Sequence, residues 1–449
     1  MKKLTEGNIW KNFILFAIPL VLSGLLSQAY TMIDTMIAGH YLGEMGLAAV
    51  GATSSATTFV SCIFAGYMVG FGMYVARLFG EGAHERIYRG VWMHFGLCSL
   101  AALIFVLLAV VFCDPILHFL KVDELLWEDA KTYFLIYLSG FVIFMFNSNA
   151  IYLLGAFGDS SFPFYMSILS SVLNIAGNVL SVTVLDMGVA GIAWSSVLSA
   201  CVGTVFYIVR YRKLFKKLLP NGCKWKWSLK ESKAALPYSI PPIIQQGAMY
   251  VSGLFLSPMV NSFGESAIAS YVVSSQIMSL SNTMYYNSSR TVSNYTAQCL
   301  GAPFEREEKA RRLRQGIGVG LIQSLALTLI IMIPCTIFPQ FTASVFFAEG
   351  SAQESIALTV FFQRVFLPLS LFNVVNNLFH GVFRATKAKG FLIFSTVASS
   401  AVRLAVSYPL TAVYGLNGFW TGMVVAWVAE AVFLLVVYRM NLWLPKELR

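Results

Sequence analysis

About twelve long apolar stretches follow one another along this 449-residue chain, and they constrain its fold more than any other feature. Each is long enough to cross roughly 30 Å of hydrocarbon. They occupy residues 12–38, 47–78, 91–113, 130–156, 163–185, 188–210, 236–262, 267–299, 315–339, 355–383, 390–413 and 416–438. Hydrophobic residues make up 57% of the chain and charged residues 12%, whereas soluble domains average about 50% and about 25%. We therefore predict an all-α integral membrane protein with twelve transmembrane helices.

The second half of the chain repeats the first. Leu42-Gly43-Glu44 reappears as Phe263-Gly264-Glu265, and the frame holds to Gly80 and Gly301 (301 − 80 = 221). A later pair, Gly188-x-x-Gly191 and Gly415-x-x-Gly418, lies 227 residues apart (415 − 188 = 227). Half-and-half duplication in a very apolar chain is typical of secondary transporters, whose site lies between the halves.

The repeats are expected to be parallel. Six apolar stretches fall in each half, and because six is even, the second half enters the membrane in the same orientation as the first. We predict a six-helix N-terminal lobe at residues 1–212, a basic cytoplasmic linker at 213–234 and a six-helix C-terminal lobe at 235–449, arranged around a central cavity.

The distribution of basic residues predicts the orientation in the membrane, since Lys and Arg favour the cytoplasmic side. Basic residues cluster at the N-terminus and in every second loop: Lys2–Lys11, Arg77–Arg89, Arg210–Lys233, Arg306–Arg314 and Arg384–Lys389. The alternate loops are neutral or acidic. We expect a multi-pass protein of the inner (plasma) membrane with both termini in the cytoplasm, and a monomer is plausible although the sequence is silent on assembly.

Several function classes have little support. The net charge of +10 follows from the cytoplasmic loops, so no nucleic-acid partner is expected. The seven cysteines never form a C-x-x-C pair, and no phosphate-binding G-x-x-x-x-G-K-[ST] loop occurs. We find no H-E-x-x-H or D-D-x-x-D, and the H-x-x-x-x-D from His118 to Asp123 falls in a loop expected outside. The chain is therefore not expected to be an enzyme or to bind a cofactor, and an ion gradient must supply energy.

Asp34 is the first candidate functional residue, because an ionisable group inside an apolar span is costly. Such a carboxyl group can alternate between binding a proton or Na⁺ and releasing it. A merely structural Asp34 near the outer interface is the alternative. The 221-residue shift carries Asp34 to Phe255 (34 + 221 = 255), so the second half does not repeat this charge.

Amide side chains form two further candidate groups. Asn174 and Asn178 are four residues apart and share a helix face, where they could hydrogen-bond a carboxyl group or offer oxygens to a small cation such as Na⁺. Interhelical hydrogen bonding is the competing interpretation. Candidates for lining a substrate cavity are Asn149 in the first half and Asn373, Asn377 and His380 in the second.

Proline residues predict where helices bend. Pro19 interrupts the first apolar stretch, and Pro241 and Pro258 interrupt the seventh, each removing a helical hydrogen bond. Corresponding disrupted helices in two halves are where transporters of this kind tend to bend and bind.

An ordered set of motifs over nearly the whole chain resembles the multidrug and toxic compound extrusion (MATE) transporters. The set consists of Ala17-Ile18-Pro19, Asp34, Gly39, Leu42-Gly43, Leu47-Ala48-Ala49-Val50, Gly80, Gly158-Asp159-Ser160 with Pro163, and Gly188-Val189-x-Gly191-x-Ala193. The resemblance implies a twelve-helix, two-lobed antiporter that exports amphipathic organic cations in exchange for H⁺ or Na⁺.

The resemblance also implies where the coupling ion binds. One branch of the family couples through an acid in the first helix and polar residues of the fifth and sixth, which match Asp34, Asn174, Asn178 and Ser196 here. That branch often has a second aspartate at the position of Asn178. The other branch relies on acids in the seventh and tenth helices, which this chain lacks. A flippase for lipid-linked precursors or polysaccharides from the same superfamily is the alternative function, but it would need several basic residues facing its cavity.

Overall fold

The computed structural model describes residues 3–119, 122, 124–219, 229–347 and 353–448, and all regular elements in these ranges are helical. The all-α prediction is confirmed. The α-helices are α1 (Ile9–Glu81), α2 (His84–Val111), α3 (Cys113–Phe119), α4 (Trp127–Ala156), α5 (Ser161–Thr183), α6 (Gly188–Leu218), α7 (Leu229–Asn261), α8 (Glu265–Gly301), α9 (Arg306–Ile337), α10 (Pro339–Ser344), α11 (Gln353–Leu369), α12 (Leu371–Thr386) and α13 (Lys389–Arg439). Two 3₁₀ helices cover Glu124–Leu126 and Lys446–Leu448.

Each of the twelve predicted stretches overlaps these helices, although length and apolar composition identify fewer spans. Eight helical segments in the described part of the chain are long and apolar enough to cross a membrane, and the pair α11 and α12, bent by 42°, makes a ninth. The last two predicted stretches both lie in α13, which is identified as one span. The predicted stretches in α7 and α8 are not identified as spans by this criterion. In α8 many polar side chains are buried, including Thr291 and Gln298 at 0% exposure.

The described residues divide into two compact units whose limits differ from the predicted lobes. The first unit is Leu22–Ser239, and the second joins Lys3–Val21 to Ile240–Arg449. Thus α1 and α7 each contribute to both units. The predicted lobe boundaries at 212 and 235 do not coincide with these limits, because packing assigns the start of α7 to the first unit. Residues 220–228 of the predicted linker lie outside the described ranges.

The predicted helix-bending prolines lie close to these limits. Pro19 is inside α1, two residues before the limit at Val21, and the buried Pro241 follows Ile240 directly in α7. Both helices continue through these positions. The side chain of Pro258 lies outside the described part of the chain.

The internal repeat is visible in the backbone. Gly188 and Gly415 are 227 residues apart, and both have φ = +56°, a conformation in which a side chain is strained. Gly415 interrupts the helical geometry of α13. Three residues later in each half, glycine again allows close packing: a Cβ atom at Gly191 would lie 2.6 Å from Ser181 Oγ, and one at Gly418 would lie 2.0 Å from Leu410 O. The two halves therefore turn between their last two predicted spans in the same way.

Each unit has its own apolar core. In the first unit, Met68 of α1, Ala102 of α2 and Phe141 of α4 pack together. In the second unit, Phe13 from the beginning of α1 packs against Tyr295 of α8, with ring centroids 5.1 Å apart. The contact of Phe13 thus packs the beginning of α1 into the core of the second unit.

Candidate functional site

Asp34 of α1 lies beside Asn178 of α5 in the first unit. The Asn178 Nδ2 group donates a hydrogen bond to Asp34 Oδ1. Asn178 is fully buried, whereas Asp34 is half-buried. The structure thus places the acid of the first predicted span against the amide that the sequence singled out on the fifth.

A chain of hydrogen bonds continues from this contact to α6. Asn178 Nδ2 also donates to Asn174 Oδ1 at 2.8 Å, and Asn174 Nδ2 donates to Ser196 Oγ at 3.0 Å. Tyr30, one helical turn before Asp34, has its hydroxyl 3.3 Å from Ser196 Oγ and also forms a hydrogen bond with the Asp34 carboxyl group. Asp34, Asn174, Asn178 and Ser196 therefore belong to one network that joins α1, α5 and α6.

The close approach of α5 and α6 makes this network possible. Asn174 and Asn178 are one turn apart on α5, and Gly177 lies between them. A Cβ atom at Gly177 would lie 2.9 Å from Ser195 Oγ of α6. Because glycine leaves this space open, the two helices pack closely enough for Asn174 to reach Ser196.

The network opens into a cavity inside the first unit. The cavity has a volume of about 740 Å³ and is lined by residues of α1, α4, α5 and α6, Tyr30, Asp34 and Ser196 among them. Of the described residues that line it, Asp34 is the only one with a charged side chain. An anionic group in a confined, largely apolar space attracts cations and disfavours anions.

Aromatic rings form much of the remaining wall. Tyr133, Tyr137 and Phe144 of α4 line the cavity, with 6.0 Å between the ring centroids of Tyr133 and Tyr137 and 4.8 Å between those of Tyr137 and Phe144. Ring faces attract organic cations through their quadrupoles. The wall therefore suits a flat or bulky apolar molecule that carries a positive charge.

Asn149 is not among the lining residues, contrary to its selection as a cavity candidate. It is 1% exposed, and its Oδ1 lies 2.5 Å from His94 Nε2 of α2. Asn147, two residues earlier, lines the cavity and donates from Nδ2 to Ala200 O at 2.9 Å. Two residues along a helix correspond to about 200° of rotation, so these two amides point to different sides of α4.

The candidates of the second half lie in the second unit and do not line this cavity. Asn377 Nδ2 donates to the backbone carbonyl oxygen of Asn373 at 3.0 Å, so the Asn377 side chain is hydrogen-bonded to its own helix. His380 is buried and contacts Glu430 of α13, with 3.0 Å between Nε2 and Oε1. The predicted cavity candidates therefore do not form one group.

The arrangement around Asp34 bears on which ion it could hold. Among the described residues, no group of three or more His, Cys, Asp or Glu side chains is placed to hold a metal ion. Hard cations require several oxygen ligands. Asn178 presents its N–H group to Asp34, and Asn174 presents its N–H group to Ser196. The carboxyl group of Asp34 and the hydroxyl groups of Tyr30 and Ser196 supply oxygen atoms at this place, and the carboxyl group can also take up a proton.

Two residues of these networks, Tyr30 and Glu430, are not among the candidates predicted from the sequence. Tyr30 carries a usable signal, because it precedes Asp34 by four residues and so shares its helix face. Glu430 also carries one, since it is an acid within the last apolar stretch. It lies in the twelfth stretch, whereas the resemblance draws attention only to acids in the seventh and tenth helices.

Comparisons with known proteins agree with this architecture. The MatE family model matches residues 19–180 and 241–409. The probable multidrug resistance protein YoeA of Bacillus subtilis is 25% identical over 466 residues, which cover 100% of this chain and 97% of YoeA. The probable multidrug resistance protein NorM of Thermotoga maritima is 23% identical, over 97% of this chain and 93% of NorM. A mutant of the Vibrio cholerae MATE transporter VcmN has a similar fold, with a TM-score of 0.89 at 17% identity and 98% coverage of both chains.

Proposed function

The chain belongs to the MatE family, and on that premise we propose that it is a secondary active multidrug efflux antiporter. It exports amphipathic organic cations in exchange for H⁺ or Na⁺ by alternating access. Members of this family are transporters and not enzymes. The observation that supports the proposal most strongly is the position of Asp34, the one charged residue among the described residues that line the aromatic cavity.

Exchange follows from competition for this carboxylate. An organic cation in the cavity and a coupling ion on Asp34 both need the same negative charge. Binding of one therefore weakens the other, and transport requires that the two bind differently in the inward-facing and outward-facing states. Hydrophobic and aromatic walls supply the rest of the substrate's binding energy without strict shape selection.

H⁺ is a coupling ion that this site can bind without further ligands. Asn178 donates an amide hydrogen to Asp34 Oδ1, and the Tyr30 hydroxyl, 3.3 Å from Ser196 Oγ, can donate either to that oxygen or to the Asp34 carboxyl group. A proton on the Asp34 carboxyl group leaves both of these contacts possible.

The same proposal includes the plasma membrane, with both termini in the cytoplasm. Support comes from the apolar helices and from the concentration of Lys and Arg in alternate loops.

The flippase alternative is less well supported. A pyrophosphate-linked lipid requires several cationic side chains in its cavity, and no Lys or Arg is found among the described residues that line the cavity of the first unit. A net negative wall would repel such a substrate.

The test is transport of a cationic dye by the purified protein in liposomes, driven by an imposed pH gradient or by a Na⁺ gradient. We expect the parent protein to transport the dye and Asp34→Asn to lose this activity under both gradients. Asp129→Asn is the matched control, since it makes the same change at an exposed carboxylate that does not line the cavity. Equal transport by Asp34→Asn and the parent would refute the assignment.

A further inference from the structure

A buried pair of titratable residues lies in the second unit, apart from the site at Asp34. His380 of α12 and Glu430 of α13 are 5% and 9% exposed, and His380 Nε2 is 3.0 Å from Glu430 Oε1. Burying ionisable groups within membrane helices costs several kcal/mol unless their interactions compensate. A pair in this position is therefore a candidate for function.

The pair has no counterpart in the first half of the chain. Gly155-Ala156-Phe157 corresponds to Gly381-Val382-Phe383 at a shift of 226 residues, which places Leu154 opposite His380 (380 − 226 = 154). The shift of 227 that relates Gly191 to Gly418 places Gly203 opposite Glu430 (430 − 227 = 203). The scaffold of the repeat does not require these side chains, since the first unit has an apolar residue and a glycine in their place.

Gln245 of α7 completes a triad with this pair. Gln245 Nε2 lies 2.8 Å from His380 Nδ1. With the Gln245 amide in this orientation, its nitrogen donates and Nδ1 accepts, so the ring hydrogen is on Nε2 and is directed to Glu430 Oε1. In this arrangement the imidazole is neutral.

A second state of the same triad can bind one more proton. If Gln245 turns its amide over, its carbonyl oxygen faces Nδ1, which can then carry a hydrogen. The imidazole becomes a cation that is hydrogen-bonded to Glu430 on one side and to Gln245 on the other. Uptake of a proton thus reverses the hydrogen bond between α7 and α12 and breaks no covalent bond.

The surrounding charges act in opposite directions on this uptake. Arg384 of α12 donates from Nε to His380 O at 3.0 Å, and Arg403 of α13 donates from Nε to Ser252 Oγ of α7 at 2.9 Å. The Arg384 guanidinium group disfavours a cation on His380, whereas Glu430 favours it, and Arg403 interacts electrostatically with Glu430. Neutral groups are also close: Ser395 Oγ of α13 lies 3.5 Å from His380 Nε2, and Ser293 of α8 donates to Gly381 O.

We propose that His380 and Glu430 form a second proton-binding site, located in the second unit, and that Gln245 couples its occupancy to α7. The ligand is a proton, accepted at His380 Nδ1. Its use in antiport rests on the proposed function, but binding of the proton does not. With Asp34 in the first unit, the chain then has one ion-binding carboxylate in each unit.

The direct test is ¹⁵N NMR of histidine-labelled protein in nanodiscs, titrated between about pH 5 and 8, where histidine changes charge. His380→Asn identifies the His380 signals. We expect these signals to change from neutral imidazole to imidazolium as the pH falls in the parent protein. In Glu430→Gln this change is lost over the same range, because the carboxylate that stabilises the cation is gone. His94, which contacts the side chains of Asn149 and Cys98, is the internal control and keeps its signals in both proteins.

His380 signals that do not change with pH in the parent would overturn the proposal, and this result does not depend on any variant. A pH response that persists unchanged in Glu430→Gln would also overturn it, since Glu430 would then have no part in the site. Failure of the antiporter proposal is seen separately, as undiminished dye transport by Asp34→Asn. If the antiporter proposal stands, His380→Gln exchanges fewer protons per dye molecule than the parent does.

Discussion

The amide of Asn178 donates a hydrogen bond to the carboxyl group of Asp34, and this contact joins α5 to α1 at the wall of the cavity. Asn178 is fully buried, and its second amide hydrogen is directed to Asn174. The position of the Asp34 carboxyl group is therefore set by a side chain that is itself held in place. A change in the charge of Asp34 therefore acts first on its hydrogen-bond partners, Asn178 and Tyr30.

Asn178→Asp places a second carboxylate next to Asp34. Two adjacent carboxylates repel each other, and they offer more oxygen ligands to a hard cation. We expect the variant to respond to a Na⁺ gradient more strongly, relative to a pH gradient, than the parent does. Dye transport in liposomes under each gradient measures this ratio. An unchanged ratio would show that Asn178 does not determine the choice of ion.

Tyr30→Phe removes the hydroxyl group that links Asp34 to Ser196 and keeps the ring that lines the cavity. A hydrogen bond to a charged group contributes about 1.5 kcal/mol, so we expect roughly a tenfold decrease in transport driven by a pH gradient. Tyr165→Phe is the control, because Tyr165 is exposed and is not one of the cavity's lining residues. Equal rates in the two variants would contradict a role for the Tyr30 hydroxyl.

Gly418→Ala tests the close packing between the last two predicted spans. Its Cβ atom would lie 2.0 Å from Leu410 O, so the backbone must shift. We expect a loss of about 1–3 kcal/mol of stability, as for overpacking in general, seen as a lower melting temperature in detergent. Gly390→Ala should have little effect, because nothing lies within 4 Å of its added Cβ atom. A melting temperature for Gly418→Ala as high as that of the control would argue against this packing.

The proposed orientation predicts which exposed sites can be labelled from outside the cell. Glu124→Cys should react with a membrane-impermeant maleimide in intact cells, since its loop is expected outside. Lys446→Cys should react only after the membrane has been permeabilised. The unsubstituted chain gives the background from its own cysteines. The reverse pattern would invert the topology.

The helices could be predicted from the sequence because long apolar stretches indicate them. The repeat could be predicted because matching residues recur in the two halves. Gly188 and Gly415 match in sequence and again in φ. Composition alone does not identify every predicted span. In α8, Thr291 and Gln298 are polar and buried within the protein, and this helix is not apolar enough to be recognised as a span by length and composition. The unit limits near Val21 and Ile240 depend on tertiary contacts; Pro19 and Pro241 lie close to them, but a proline does not indicate which unit the residues on each side join.

The candidate site was only partly predictable for a similar reason. Asp34 and Asn178 stand out because polar groups are rare in apolar stretches, and the structure brings them together. The choice between Asn147 and Asn149 depends on which side of α4 faces α6, and a helix without strong amphipathicity does not disclose this. The contact of His380 with Glu430 joins residues 50 positions apart, on helices whose pairing the sequence does not specify.

The central claim is that an organic cation and the coupling ion compete for Asp34. It is tested most directly by measuring ion release when a cationic dye binds to the purified protein in weakly buffered detergent, with a pH indicator and a Na⁺ electrode. We predict that dye binding to the parent releases H⁺ or Na⁺, and that Asp34→Asn binds the dye more weakly and releases neither. Release of the same amount of ion by Asp34→Asn and the parent would contradict the account.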